Sequence, residues 1–272
     1  MRIIGFGHGL FAVAGLGLAV LSLVYQDFAL IWQPLPSWVP WPERWSYASG
    51  VVLSIASAGL CLARTAPASA LTIGAYLAVW AVTRAEPVLL EPFSVASWYG
   101  FCEAMAPVLG AWLLYARLQG QSGVSPAPFV TSKRAMHAAQ VLFGLACLGY
   151  GLAHFAYADL TASMVPAWLP DRLGFAYVAG LCHIAAGIGI VVGVLARLAA
   201  VLEASMMSLF GLLVWLPTLL TEPPPEWAKP PQYQWSEIVI TLLLAASAWI
   251  VAASLRNRPW GFAWRSQAAA SK

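Results

Sequence analysis

Charged side chains are scarce in this sequence. Only 9% of the 272 residues are Asp, Glu, Lys or Arg, whereas 61% are hydrophobic and the mean hydropathy is +0.75. A soluble domain of this length needs more polar surface than such a composition provides, so a soluble enzyme is excluded and we expect no nucleic-acid partner. The chain is predicted to be an integral membrane protein.

Paired cysteines and soluble-enzyme motifs are also missing. The four cysteines stand singly within apolar runs, without a CxxC pair, which argues against a disulfide framework, a zinc site and a thiol relay. The sequence has no phosphate-binding loop, GxSxG elbow or HExxH motif. We therefore predict no metal site, and the catalytic residues, if the protein is an enzyme, are unknown.

Long apolar runs are abundant instead. Their length of roughly 18 to 23 residues is what a helix needs to cross a bilayer at about 1.5 Å per residue, whereas spanning strands alternate apolar and polar positions. We predict an all-α, polytopic membrane protein with eight transmembrane helices. They are expected at about residues 3–24, 45–62, 66–82, 95–115, 135–157, 173–194, 198–220 and 235–253.

An internal repeat divides the chain into two halves. The predicted units are a first four-helix repeat (1–118), a cytoplasmic linker (119–134), a second four-helix repeat (135–256) and a cytoplasmic tail (257–272). Because each unit has an even number of helices, both halves should enter the membrane in the same direction, related by a pseudo-two-fold axis along its normal. The matched pairs are Pro36 with Pro166, Trp38 with Trp168, Pro40 with Pro170, Tyr47 with Tyr177, Gly50 with Gly180, Tyr99 with Tyr233 and Glu103 with Glu237.

The distribution of Lys and Arg predicts the orientation. With a cytoplasmic N-terminus, ten of the 14 Lys and Arg residues lie inside and four lie outside. We therefore expect a multi-pass protein of a bacterial-type inner membrane, with both termini in the cytoplasm and the lipid bilayer as its first partner.

Two histidines within the second half are the leading site residues. His154 and His183 lie at depths that differ by roughly 7 Å, so both rings could reach one pocket that opens outward. Tyr177 and Glu237 could join them, and Glu103 is the matching acid of the first half. Ionisable residues inside a bilayer are costly and often functional, and histidine transfers protons near neutral pH.

Structural roles for the same residues stay open. Either histidine could be neutral and hydrogen-bonded across a helix interface, and Glu103 and Glu237 could be interfacial carboxylates. Glu203 is expected to pair with Arg197 or to make a satisfied hydrogen bond. A bis-histidine haem site fits two neighbouring helices but has no further signature. His8 and His137, at the inner ends of helices, are expected to face headgroups or loops.

Three motifs of the second half resemble the DoxX-like membrane proteins. They are G-x-x-H-F at 151–155, V-P-x-W-L-P at 165–170, and Y-x-x-G followed by a polar residue at Tyr177, Gly180 and His183. The resemblance implies two tandem four-helix units and an association with redox chemistry, as in the small subunits of thiosulfate:quinone oxidoreductase. That family commonly has Glu where this chain has His183.

The resemblance leads to a functional expectation. The chain would be a membrane component, or a quinone-binding accessory, of a redox or stress-response system with redox partner proteins. As an enzyme it would be a quinone-linked oxidoreductase component, in which a histidine moves the proton that accompanies electron transfer. The alternatives are a small-solute transporter and a structural scaffold without a ligand.

Overall fold

The described chain is built mainly of helices. The structure is a computed structural model that describes residues 3–29, 32–122, 128–220 and 231–261. A π-helical turn at Gly211–Trp215 and a 3-10 turn at Leu216–Leu219 extend α8. The α-helices within the described ranges are α1 (Phe6–Tyr25), α2 (Pro42–Leu60), α3 (Ala66–Leu90), α4 (Val95–Ser122), α5 (Lys133–Ala156), α6 (Ala158–Met164), α7 (Arg172–Val192), α8 (Ala196–Phe210) and α9 (Pro231–Ser254).

Seven helical segments of the described chain are long and apolar enough to cross a membrane. The prediction of a polytopic helical membrane protein is thereby confirmed, since a helix satisfies its own backbone hydrogen bonds in lipid. The remaining predicted span, at about residues 45–62, forms α2, a helix of 19 residues, but Glu43, Arg44 and four serines lower its hydropathy. The seven segments are Phe6–Tyr25, Ala66–Leu90, Val95–Gly120, Lys133–Ala156, Arg172–Val192, Ala196–Leu219 and Pro231–Ser254.

Several predicted boundaries were wrong. Helix α3 continues to Leu90 although a connection was expected after residue 82, and Pro87 lies inside its last turn. Helix α4 extends to Ser122 and so includes the start of the predicted linker. The outer connection of the second half contains the short α6. Residues 123–127 of the linker and 262–272 of the tail lie outside the described residues.

Local signals begin and end the helices around the later site. The Ser132 side chain accepts a hydrogen bond from Ala135 N at the start of α5, and Asp171 accepts one from Gly174 N at the start of α7. These caps satisfy donors that the first helical turn leaves free. Gly193, in the left-handed region at φ 79°, ends α7, as glycine does readily because it has no Cβ.

Helices α4 and α9 form the centre of the bundle. Helix α4 packs against α3, α5 and α9, and α9 packs against α1, α4 and α8. Their spans are 67% and 83% buried, compared with 33% to 56% for the other five. The remaining long helices surround this pair, through contacts of α1 with α2, α2 with α3, α5 with α7, and α7 with α8. Polar residues on α4 and α9 are therefore held away from lipid.

Large apolar side chains cover the outside of the bundle. Leucine, isoleucine and valine residues of α1, α2, α3, α5, α7 and α8 are about half exposed or more. Water does not stabilise a continuous apolar belt of this kind, whereas bilayer hydrocarbon does. Representative members are Val20, Ile55, Val82, Leu152, Leu181 and Leu202.

Candidate functional site

Two reciprocal glycine contacts bring the backbones of α5 and α7 together. A Cβ added to Gly144 would lie 2.9 Å from the Gly187 carbonyl oxygen, and one added to Gly187 would lie 2.6 Å from that of Gly144. Gly151 and Gly180 repeat the arrangement one heptad further along, with a Cβ of Gly151 at 2.7 Å from Gly180 O. Small residues at such positions allow close helix packing in membranes. The approach sets His154, on α5, against α7.

His183 pairs with Glu203 near the middle of the bundle. The Nδ1 atom of His183, on α7, lies 3.0 Å from Oε1 and 3.1 Å from Oε2 of Glu203, on α8. Both residues are 1% exposed. A carboxylate on Nδ1–H fixes the imidazole tautomer and orientation, so that Nε2 is left as the base. The pair is therefore arranged for proton transfer.

His154 lies beside this pair on the lipid-facing side. Its ring centroid is 5.1 Å from that of His183, and its Nδ1 atom lies 3.2 Å from the carbonyl oxygen of Ala176. Because a carbonyl only accepts, Nδ1 of His154 carries the proton and Nε2 has the free lone pair. His154 is half-buried, and the neighbouring Phe155 is exposed. The inner histidine is thus sealed, whereas the outer one is accessible.

Aromatic rings enclose the two histidines. Phe210 stacks on His154, with a centroid distance of 6.0 Å, and contacts His183 at 5.9 Å. Tyr150 also contacts His183, with a centroid distance of 5.6 Å. Phe210 directly precedes the π-helical turn of α8, and such turns occur frequently at functional sites. We call His154, His183, Glu203, Tyr150 and Phe210 the histidine cluster.

The two matching acids form a second polar group between α4 and α9. Glu103 and Glu237 are 6% and 5% exposed and lie close enough to interact electrostatically. The indole Nε1–H of Trp32 donates to Glu237 Oε1 at 3.2 Å, and Arg84 supplies a positive charge near Glu103. A cavity of about 30 Å³, room for one water molecule, borders Glu103 and Gln33. We call Glu103, Glu237, Trp32 and Arg84 the carboxyl cluster.

Two tyrosines connect the clusters. The Tyr99 side chain interacts with Glu103, and its ring centroid lies 6.2 Å from that of Tyr150. Tyr150 in turn contacts His183, and its hydroxyl donates to the carbonyl oxygen of Cys102 at 3.3 Å. Ring contacts thus lead from Tyr99 on α4 through Tyr150 on α5 to His183 on α7, whereas the Tyr150 hydroxyl is bonded to a backbone carbonyl.

The predicted site residues separate into three environments. His154 and His183 come together as expected, but Glu237 and Glu103 lie in the carboxyl cluster instead of beside them. Tyr177 is 40% exposed and stacks on Phe155 at 5.7 Å, so it does not join His183. It turns outward because it lies on the face of α7 away from the buried Ala176, Gly180 and His183.

Of the two roles expected for Glu203, the structure shows the satisfied hydrogen bond, with His183; the Arg197 guanidinium instead lies over the Trp260 ring at 3.9 Å. The expectation for His8 was wrong. His8 is buried, with Nε2 2.9 Å from Leu60 O and Nδ1 accepting from Ile4 N. It therefore holds α1 against the end of α2 instead of facing headgroups.

Sequence reasoning missed Glu203, Tyr150 and Trp32 as site residues. For Glu203, the sequence contained a signal that it lies at a similar depth to His183. Glu203 is seven residues from the start of α8, and His183 is nine residues from the end of α7. The two-residue difference is about 3 Å along a helix axis. No group of three or more His, Cys, Asp or Glu side chains within the described residues is arranged to hold a metal ion.

The histidine cluster falls within a match to a family model. Residues 143–252 match the family model described as "Domain of unknown function (DUF8561)". That range runs from α5 into α9, and so includes both histidines, Glu203 and Glu237. No curated protein and no solved structure matches the chain.

Proposed function

We propose that this membrane protein binds a lipophilic, quinone-type ligand at His154 and exchanges protons with it through the His183–Glu203 pair, as a component of a redox or stress-response system. The observation that carries the proposal is the sealed His183–Glu203 pair behind a histidine that is accessible from the lipid side. Reduction of a quinone takes up two electrons and two protons. The electrons would come from a redox partner protein, and this chain would supply the protons.

The pair has the properties that proton exchange requires. A carboxylate beside Nδ1–H stabilises the imidazolium that forms when His183 accepts a proton. His154 then lies between the pair and the ligand, and its Nε2 atom could hydrogen-bond a quinone carbonyl after taking a proton.

Apolar surroundings support a ligand that arrives from the bilayer. Phe155, next to His154 in the chain, is exposed, and Phe210 provides a ring against which a quinone can stack. A polar solute would need a wet path through the centre instead. The cavity at Glu103 holds about one water, so this observation does not favour the transporter alternative.

We also propose that the chain is a tandem repeat of two DoxX-like units with eight spans. The helix contacts of the two halves correspond when α1, α2, α3 and α4 are matched with α5, α7, α8 and α9. The contacts α1–α2, α2–α3 and α3–α4 then match α5–α7, α7–α8 and α8–α9. The same turn precedes α2 and α7, with Val39 N donating to Pro36 O and Leu169 N to Pro166 O, both at 3.0 Å. Trp41 and Asp171, at matching positions, share a positive φ. The family match to residues 143–252 covers most of the second unit alone.

The proposed orientation places the chain termini in the cytoplasm of a bacterial-type cell, in its inner membrane. The end of the bundle at which α1 starts and α9 ends, which we call the basic end, has seven described cations. The opposite end has Arg44, Arg84 and Arg172. This difference supports a cytoplasmic basic end. The seven cations are Arg64, Arg117, Lys133, Arg134, Arg197, Arg256 and Arg258.

A binding titration tests the proposed function. A short-chain quinone added to detergent-purified protein should quench tryptophan fluorescence with saturation, and His154→Ala should weaken binding about tenfold or more through loss of a hydrogen-bond partner. Tyr177→Phe is the matched control, because Tyr177 lies on the same outer region without contacting the cluster. Equal quinone affinities of the native protein, His154→Ala and Tyr177→Phe would contradict the proposal.

A further inference from the structure

A cavity of about 410 Å³ opens at the basic end, between the first turns of α5 and the last turn of α9. Lys133 and His137 line it from α5, and Asn257 and Arg258 line it from the segment after α9. Gln140 Nε2–H donates to Ser254 Oγ at 2.9 Å and ties the two helices together at the cavity. The lining is thus rich in hydrogen-bond donors and is anchored at its base.

The positive charge of this cavity is not neutralised by carboxylates. None of the residues that line it is acidic. None of the 11 Asp and Glu residues of the sequence falls between positions 104 and 158 or after position 237. Arg117 and Arg256 lie within electrostatic range of each other at the same end and add to the positive field. A pocket with this lining attracts an anion.

We propose that the cavity binds a phosphate group, presented by an anionic phospholipid headgroup or by free phosphate. Lys and Arg supply charge-assisted hydrogen bonds to phosphate oxygens, and basic pockets at the cytoplasmic ends of membrane helices suit such headgroups. Met136 and Leu255 give the cavity an apolar wall at the membrane boundary, against which a lipid glycerol can lie. The site is separate from the histidine cluster and does not depend on the function proposed for it.

Lipid retention tests the site in the full chain. The protein is reconstituted in nanodiscs of phosphatidylcholine with phosphatidylglycerol, and native mass spectrometry measures the phosphatidylglycerol that stays bound. The double variant Lys133→Gln/Arg258→Gln should retain less phosphatidylglycerol, with a reduction of about fivefold for each cation that is removed. The control Arg64→Gln/Arg134→Gln removes two exposed charges at the same end, outside the cavity. It should stay within about twofold of the native chain, because salt screens charges that do not contact the bound phosphate.

A second arm separates the two sources of phosphate. Inorganic phosphate is added to the protein in phosphatidylcholine nanodiscs, and the thermal unfolding midpoint is measured for the same three proteins. A rise with phosphate that the cavity variant alone loses identifies free phosphate, whereas selective phosphatidylglycerol retention identifies the lipid headgroup. Equal losses in the cavity and control variants, or no response in either arm, would overturn the proposal. Unfolding midpoints without ligand verify that the variants fold.

Discussion

The Nδ1 atom of His183 lies 3.0 Å from Oε1 of Glu203, across the interface of α7 and α8, and both residues are almost fully buried. Neither side chain has access to water that could replace its partner. Burying two such groups is unfavourable by itself, and only their mutual contact compensates for it. The pair therefore contributes little net stability, although each member depends strongly on the other.

This dependence predicts strong coupling in a double-mutant cycle. Glu203→Leu or His183→Leu alone should lower the free energy of unfolding by about 3–5 kcal/mol, because each leaves one buried polar group without its partner. The double variant should lose much less than the sum, since both polar groups are then gone. The free energy of unfolding is measured in detergent for the native protein, both single variants and the double variant. Additive losses would show that the two side chains do not interact.

The glycine contacts between α5 and α7 give a second prediction. Gly187→Ala should destabilise the protein by about 1–3 kcal/mol, because its Cβ would lie 2.6 Å from the Gly144 carbonyl oxygen and force the helices apart. Gly120→Ala is the matched control within α4, where an added Cβ meets no described atom within 4 Å. That change should be neutral or stabilising by up to about 1 kcal/mol through helix propensity. Thermal unfolding compares the two, and similar effects would contradict the close approach.

Trp32 provides a third prediction. Trp32→Phe keeps an aromatic ring but removes the indole N–H that donates to Glu237, so stability should fall by about 1–3 kcal/mol. Trp38→Phe changes the same residue type at an 80% exposed position and should alter stability by less than about 0.5 kcal/mol. Chemical denaturation of both variants tests the difference. Unchanged stability of Trp32→Phe would mean that the indole N–H does not stabilise the buried Glu237 carboxyl group.

The helices were predictable because bilayer thickness fixes their length. The eight apolar runs correspond to α1 through α5 and α7 through α9, and His154 and His183 could be paired from their depth alone. Helix rotation could not be obtained in this way. Apolar side chains lie on all faces of these helices, so periodicity does not show that Tyr177 faces outward while His183 faces Glu203. Contacts such as Trp32 with Glu237 depend in addition on how the outer connections fold over the bundle.

The proposal that α2 is an eighth span gives a fourth prediction. In a cysteine-free background, Trp38→Cys and Arg64→Cys should react with membrane-impermeant reagents from opposite sides of the membrane, because they flank α2. Phe129→Cys, in the connection before α5, is the control and should react from the same side as Arg64→Cys. Labelling of Trp38→Cys and Arg64→Cys from one side would show that α2 does not cross, and would contradict the eight-span tandem repeat.

We propose that Glu203 acts on a lipophilic ligand through His183 and His154. The most direct test of this proposal is quinone binding to the Glu203→Gln variant, since Gln keeps the size of the side chain but not its negative charge. We predict stoichiometric binding of a short-chain quinone to the native protein. Glu203→Gln should weaken this binding about tenfold or more, because it removes the charge-assisted hydrogen bond between His183 and the Glu203 carboxylate. Absence of quinone binding to the native protein, or equal binding to native and variant proteins, would contradict the account.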